Sequence, residues 1–199
     1  AGDTIYKKAK ALGHEKLADG TVAVKIDHDG KEETINCDVV LVAVGMRPHS
    51  KGLGLEQVGV TIDKRGFVPT DRLGRTNIPS IYAIGDVSGP PLLAHKATKE
   101  GEVIAEVIAG HKVEKDWVTI PGAIFTDPEI ATAGLTADEA VAKGYEVVVG
   151  KFPFAALGKA MAMAETDGFV KVVADKKTKQ VLGIHIVGPE ASTMISEGA

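Results

Sequence analysis

The chain has 199 residues, 44% of them hydrophobic and 25% charged, which supports a folded core and excludes a disordered or fibrous class. Lys and Arg number 23 against 27 Asp and Glu, a formal net charge of −4 with no basic block, so nucleic acid and anionic membrane are poor partners. One cysteine, Cys37, allows neither an internal disulfide nor a dithiol redox pair. The longest apolar runs fall well short of the ~20 residues that a membrane helix needs, and AGDTIYKKAK lacks the apolar stretch of a signal peptide. The expectation is a soluble, intracellular protein.

Val22, Val24 and Ile26 alternate along Thr21–Ile26, His28-Asp29-Gly30 supplies a turn, and Glu32–Asn36 returns, a pattern that predicts a surface β-hairpin. DVVLVAVG, residues 38–45, is continuously apolar and valine-rich, as for a strand covered on both faces of an α/β sheet. After Arg47-Pro48 comes a glycine-rich connector, then two short β-like pieces at Val60–Ile62 and Phe67–Pro69, and a second buried-type strand at Ser80–Ile84. Helical spacing predicts a helix over Ala94–Ala109 with Gly110 as its stop.

The charged stretch GHKVEKDW, residues 110–117, reads as a linker and divides an expected first domain, 1–117, from a second, 118–199. Beyond it, Thr136-Ala137-Asp138-Glu139 fits a capping box for a short helix ending at Gly144. Tyr145–Phe154, Gly168–Ala174 and Val181–Val187 predict an antiparallel meander of α+β type, and another helix begins near Ser192.

Several candidate sites have plain structural explanations. GLGLEQVG, 52–59, lacks the third glycine of a dinucleotide loop. The six histidines form no i, i+4 pair, so no metal site is expected. Cys37 reads as a packing residue or edge thiol, and Glu100, Glu102 and Glu106 read as the solvated face of the predicted helix. The segment SIYAIGDVSGPPLLAHKATKEG, 80–101, differs. Asp86 stands at the carboxyl end of a predicted strand, where open α/β sheets bind ligands, and Gly85 permits close approach. A carboxylate accepts hydrogen bonds from hydroxyls and repels phosphate, which favours a sugar or polyol. The helix start at Ala94 offers free N–H groups and the positive end of a dipole. Against this stands a turn-capping Asp86 and a surface His95.

IYAIGDV (81–87) and LLAHKATKEG (92–101), with DVVLVAVGMRP (38–48), IPGAIFTDPEIATAGLT (120–136), KFPFAALGKA (151–160) and VLGIHIVGPEA (181–191) in the same order, resemble the pyridine nucleotide-disulfide oxidoreductases over nearly the whole chain. The Ala-His-Lys-Ala form resembles the branch that oxidises dihydrolipoamide. Met46 stands where arginine is common, Leu92 where methionine is common, and ALGKA departs from the usual polar loop.

The resemblance implies the tail of two Rossmann-like FAD/NAD domains followed by an α+β dimerisation domain, truncated at both ends. It implies FAD and NAD as cofactors. Gly45 would lie against NAD, Asp86 would bind the flavin ribityl hydroxyls, and Leu92, Leu93, Ala94 and His95 would approach the ring through backbone N–H groups. It also implies a homodimer through 118–199, a place in a 2-oxo acid dehydrogenase complex, and a cytoplasmic or, in a eukaryote, mitochondrial matrix location. The family's redox cysteine pair, N-terminal flavin loop, glycine-rich NAD loop and C-terminal His and Glu have no counterpart among these residues. A fragment with no catalytic residue of its own is therefore expected, from an enzyme that oxidises dihydrolipoamide through a disulfide and FAD to NAD. The alternatives are another FAD-dependent disulfide reductase, or an isolated non-catalytic dimerisation module.

Overall fold

The computed structural model describes residues 2–199, in two compact units, Ala1–Met46 and Arg47–Ala199. In the first, strands β1 (Lys10–Lys16), β2 (Val22–His28) and β3 (Lys31–Cys37) form an antiparallel meander in the order β1-β2-β3. Asp29 and Gly30, both at positive φ, close the β2–β3 hairpin, and the Asp27 carboxylate accepts the Gly30 N–H at 3.0 Å. Two consecutive left-handed residues match the twist of the flanking strands, which is why Asp-Gly serves here. The predicted hairpin is therefore present, and β1 is added to it. KALGHEK has little β-propensity and is exposed throughout, so its strand follows from pairing with β2 rather than from its own pattern.

Residues 38–45 do not form the predicted buried strand. Val39, Leu41, Val42 and Val44 are 81%, 88%, 73% and 92% exposed, and no described residue pairs with them. A strand exists through hydrogen bonds to a neighbour, and an apolar pattern specifies burial without supplying that neighbour.

In the second unit, residues 47–93 contain no strand of their own, contrary to the expectation for Ser80–Ile84; only an isolated bridge joins Arg75 to Tyr82. The two short β-like pieces flank a turn instead. The Asp63 carboxylate accepts the Arg65 and Phe67 N–H groups, and Val60, Phe67 and Val68 are buried. Helix α1 (Ala94–Ile108) follows, its alanines, lysines and glutamates favouring the helix and Val103, Ile104 and Val107 burying one face of it. It ends as predicted at Gly110: with φ 87°, the Gly110 N–H reaches the Val107 carbonyl at 3.0 Å and the His111 N–H reaches that of Glu106 at 2.9 Å, satisfying the last carbonyls.

The remaining chain forms a five-stranded antiparallel sheet of β4 (Gly122–Ile124), β5 (Ile130–Gly134), β6 (Val147–Pro153), β7 (Phe169–Asp175) and β8 (Val181–Val187), in the order β4-β5-β8-β7-β6. The predicted β6-β7-β8 meander is its larger part; the short strands β4 and β5 extend it. Helix α2 (Ala137–Ala142) carries the predicted capping box, Thr136 and Glu139 each capping the other's backbone N–H. Helices α3 (Gly158–Met163) and α4 (Ala191–Met194) pack on the sheet, and Ala131, Ala133, Phe154, Ala160, Ile186, Ala191 and Ile195 form the core between them. No helix among the described residues is long and apolar enough to cross a membrane.

Candidate functional site

Five of the six predicted site residues lie in one local construction. Gly85–Ser88 form a single 3₁₀ turn, Gly89 and two prolines follow, and Leu92-Leu93 lead into α1. Gly45 belongs to the other unit, where it is exposed with φ 111°.

Gly85 has φ 72°, a conformation that side chains rarely adopt, and an added Cβ would come 3.0 Å from the Ala97 Cβ of α1. The turn thus lies directly on the helix. It is held there by side chains that spacing alone assigned otherwise: Glu100 is not on the solvated face but 4% exposed, and Lys96, also 4% exposed, stands one turn before it. Lys96 Nζ donates to the carbonyls of Gly85 at 3.0 Å and Gly89 at 2.6 Å and lies 3.4 Å from Glu100 Oε2. Glu100 Oε2 accepts the Gly85 N–H at 2.7 Å and lies 3.3 Å from the Ser88 hydroxyl. Its other oxygen faces Lys115 Nζ at 3.7 Å, and Lys115 also donates to Thr70 Oγ1 at 3.1 Å.

Every donor of the buried ammonium is therefore used, and the buried carboxylate is balanced by two cations. Burying charge is tolerated only under such conditions. Removing one member of a buried pair costs about 3–5 kcal/mol, because the other charge is left uncompensated. A sequence signal for this exists: Lys96 and Glu100 continue the stripe of Val103 and Val107 at spacings of four, three and four, so two charges sit on the apolar face of an amphipathic helix. Glu102 and Glu106 are exposed, as expected for the solvated face.

None of the hydrogen bonds that fasten the turn uses the carboxylate of Asp86, which is half-buried and available as an acceptor. Leu93, the residue before α1, provides no side-chain cap, so the first N–H groups of the helix are free of the usual local acceptor. The His95 ring is occupied elsewhere: Nε2 lies 2.7 Å from the Pro121 carbonyl, which accepts only, so that nitrogen carries the proton. His95 thus faces the segment entering β4 through its ring and can serve the helix start only through its backbone. A cleft of about 770 Å³ beside Trp117, Leu135, Tyr145 and Val181 includes Pro91 but none of the six predicted positions. Among the described residues no three His, Cys, Asp or Glu side chains are grouped to hold a metal ion. Cys37 is a free, half-buried thiol whose Sγ lies 3.5 Å from the Val22 carbonyl.

Residues 6–101 match the family described as pyridine nucleotide-disulphide oxidoreductase, and residues 120–199 match the dimerisation domain of the same family. The chain is 48% identical to a dihydrolipoyl dehydrogenase of Bacillus subtilis over 193 residues, 97% of this chain and 41% of that relative. It is 46% identical to the mitochondrial dihydrolipoyl dehydrogenase of Sus scrofa over 192 residues, 96% of this chain and 38% of that relative. Among solved structures, LpdA from Mycobacterium tuberculosis superposes with a TM-score of 0.89 at 28% identity, covering 98% of this chain and 42% of that one. The Cu(II) complex of the HOCl-induced flavoprotein disulfide reductase RclA from Escherichia coli, with a TM-score of 0.83 at 24% identity over 95% of this chain and 42% of that one, shows a shared fold alone. The chain spans about two fifths of the length of the curated relatives it matches.

Proposed function

The chain belongs to the pyridine nucleotide-disulphide oxidoreductases, and from that premise we propose that it is the flavin-holding and dimer-forming part of a dihydrolipoyl dehydrogenase. Such an enzyme oxidises dihydrolipoamide to lipoamide and passes the electrons through a redox disulfide and FAD to NAD. The observation that carries this reading is the Gly85–Gly89 turn, which is fastened to α1 without using the Asp86 carboxylate and stands before an uncapped helix start. The identity of 46–48% to dihydrolipoyl dehydrogenases supports the substrate.

FAD supplies the two-electron relay between thiol and nicotinamide. Asp86 accepts hydrogen bonds from the ribityl hydroxyls, a task suited to an ionised carboxylate with free lone pairs. Backbone N–H groups at Leu92, Ala94 and His95 would face the ring, where the helix dipole favours negative charge; that of Leu93, also expected there, donates instead to the Pro91 carbonyl at 3.1 Å. The Gly45 backbone lies against NAD. Residues 1–117 belong to the FAD/NAD region, of which this chain carries an antiparallel meander and α1 rather than a parallel Rossmann sheet, and 118–199 to the dimerisation domain, through which two copies associate. The enzyme serves a 2-oxo acid dehydrogenase complex, in the cytoplasm or, in a eukaryote, the mitochondrial matrix. With one cysteine, this chain contributes no disulfide, and no residue in it is assigned to the chemical step.

The test is Asp86→Ala in the full-length holoenzyme. Weakened FAD retention, together with dihydrolipoamide-dependent NADH formation by the parent, is the expected result. Unchanged flavin content would remove Asp86 from the site, and activity toward another disulfide in place of lipoamide would overturn the substrate.

A further inference from the structure

We propose that Lys96 and Glu100 are positioning residues, holding the Gly85–Gly89 turn in the shape that presents the Asp86 carboxylate to a polyhydroxyl ligand. This rests on the reading of Asp86 given above.

The two side chains do more than neutralise each other. Each reaches the backbone of the turn, and their contacts bracket Asp86: Glu100 takes the Gly85 N–H at 2.7 Å, and Lys96 takes the carbonyls of Gly85 at 3.0 Å and Gly89 at 2.6 Å. Four residues apart on α1, both are fixed relative to the helix start, so one rigid element sets the turn and offers the first free N–H groups. Glu100 also meets Lys115, whose N–H bonds the Arg72 carbonyl at 2.9 Å, so the acceptor of the Gly85 N–H is itself held from the far side. A carboxylate that must meet hydroxyls within hydrogen-bond tolerance needs its backbone held from both sides, which is how supporting residues make a binding site specific.

A pair that only stabilises the core would depend on charge; a pair that positions the turn depends on reach. Glu100→Gln keeps an oxygen at the same distance from the Gly85 N–H and removes the charge. Glu100→Asp keeps the charge and withdraws the acceptor by one methylene. In the full-length holoenzyme, the dissociation constant for FAD is measured alongside the urea midpoint of each apoprotein and the visible circular dichroism of the bound flavin. We expect Glu100→Asp to weaken FAD binding about tenfold and alter the flavin spectrum, and Glu100→Gln to stay within about threefold of the parent despite a lower midpoint. The reverse order, or losses of affinity in proportion to losses of midpoint, overturns the positioning role. Asp86→Ala runs beside them. Parental FAD affinity in that variant rejects the site itself, whereas its loss with parental affinity in Glu100→Asp rejects only the role of the pair.

Discussion

The backbone N–H of Gly85 donates to the Glu100 carboxylate at 2.7 Å, and both residues are buried. The bond can form because Gly85 occupies the left-handed region at φ 72° and leaves empty the position where a Cβ would meet Ala97. Alanine there costs roughly 1–2 kcal/mol in backbone strain and adds a 3.0 Å contact between methyl carbons. Gly85→Ala is expected to lower stability by about 2–3 kcal/mol in urea denaturation and to weaken flavin retention with it. A variant as stable as the parent would show that the turn relaxes off the helix at little cost.

A milder loss is expected at α2. Thr136 Oγ1 accepts the Glu139 N–H at 3.2 Å, and Glu139 Oε2 accepts the Thr136 N–H at 2.8 Å. Thr136→Ala removes one half of this reciprocal cap and should destabilise by about 1 kcal/mol, whereas Thr136→Ser should be close to neutral. Equilibrium denaturation of the two variants checks the difference.

Hydrogen bonds hold four carboxylates, Asp19, Glu129, Glu139 and Asp175, below their ordinary ranges, and the two glutamates illustrate the acid response. The Ser192 backbone N–H and then its side chain hold Glu129 below the usual glutamate range, and the Thr136 backbone and side chain do the same for Glu139. Since the folded pKa lies below the unfolded one, each group's contribution is present above the ordinary value of 4.5 and is lost as pH falls through the folded value. The urea midpoint should therefore fall with decreasing pH from about 4.5 downward. Glu129→Gln should flatten part of that slope by lowering the midpoint near pH 7 toward its value in acid; an unaltered slope would remove Glu129 as a contributor.

Gly168, at φ 119°, precedes β7, and a Cβ there would overlap the Val187 carbonyl of β8. Backbone cannot rotate aside as a side-chain tip can. Gly168→Ala should cost about 3 kcal/mol or more. Gly150, in β6, has open space around the corresponding position and ordinary φ, so Gly150→Ala should fall within about 0.5 kcal/mol of the parent. Thermal melts of the pair give the contrast.

The β2–β3 hairpin, α1 and the β6-β7-β8 meander were legible because each is specified locally: Asp29-Gly30 by turn geometry, α1 by spacing and Gly110, the meander by alternation. Residues 38–45 were not, because valine-rich composition states a need for burial without supplying a pairing partner, and no described residue provides one. β1 failed in the opposite way, since its residues have no preference that its neighbour β2 does not impose. At the candidate site, Asp86 and the helix start were readable from their order in the sequence. The burial of Glu100 was missed because an acid among Lys99, Glu102 and Glu106 reads as surface. Only the helical position it shares with Lys96, Val103 and Val107 separates it from them.

The sheet order β4-β5-β8-β7-β6 sets the sequence in which the second unit assembles. β6, β7 and β8 pair with their chain neighbours, across residues 154–168, which hold α3, and the short turn at 176–180. β4 and β5 also pair as chain neighbours, Ile124 opposite Ile130, whereas the second edge of β5 finds its partner only in the distant β8, where Ile130 stands opposite Val187. A nascent or refolding chain must therefore carry β5 with its second edge unpaired until residues 181–187 are in place. Loop closure over that separation comes late, so the β5–β8 ladder is the last part of the sheet to be secured, and the β5 edge at Ile130–Gly134 is the one that an interrupted chain leaves open to wrong partners.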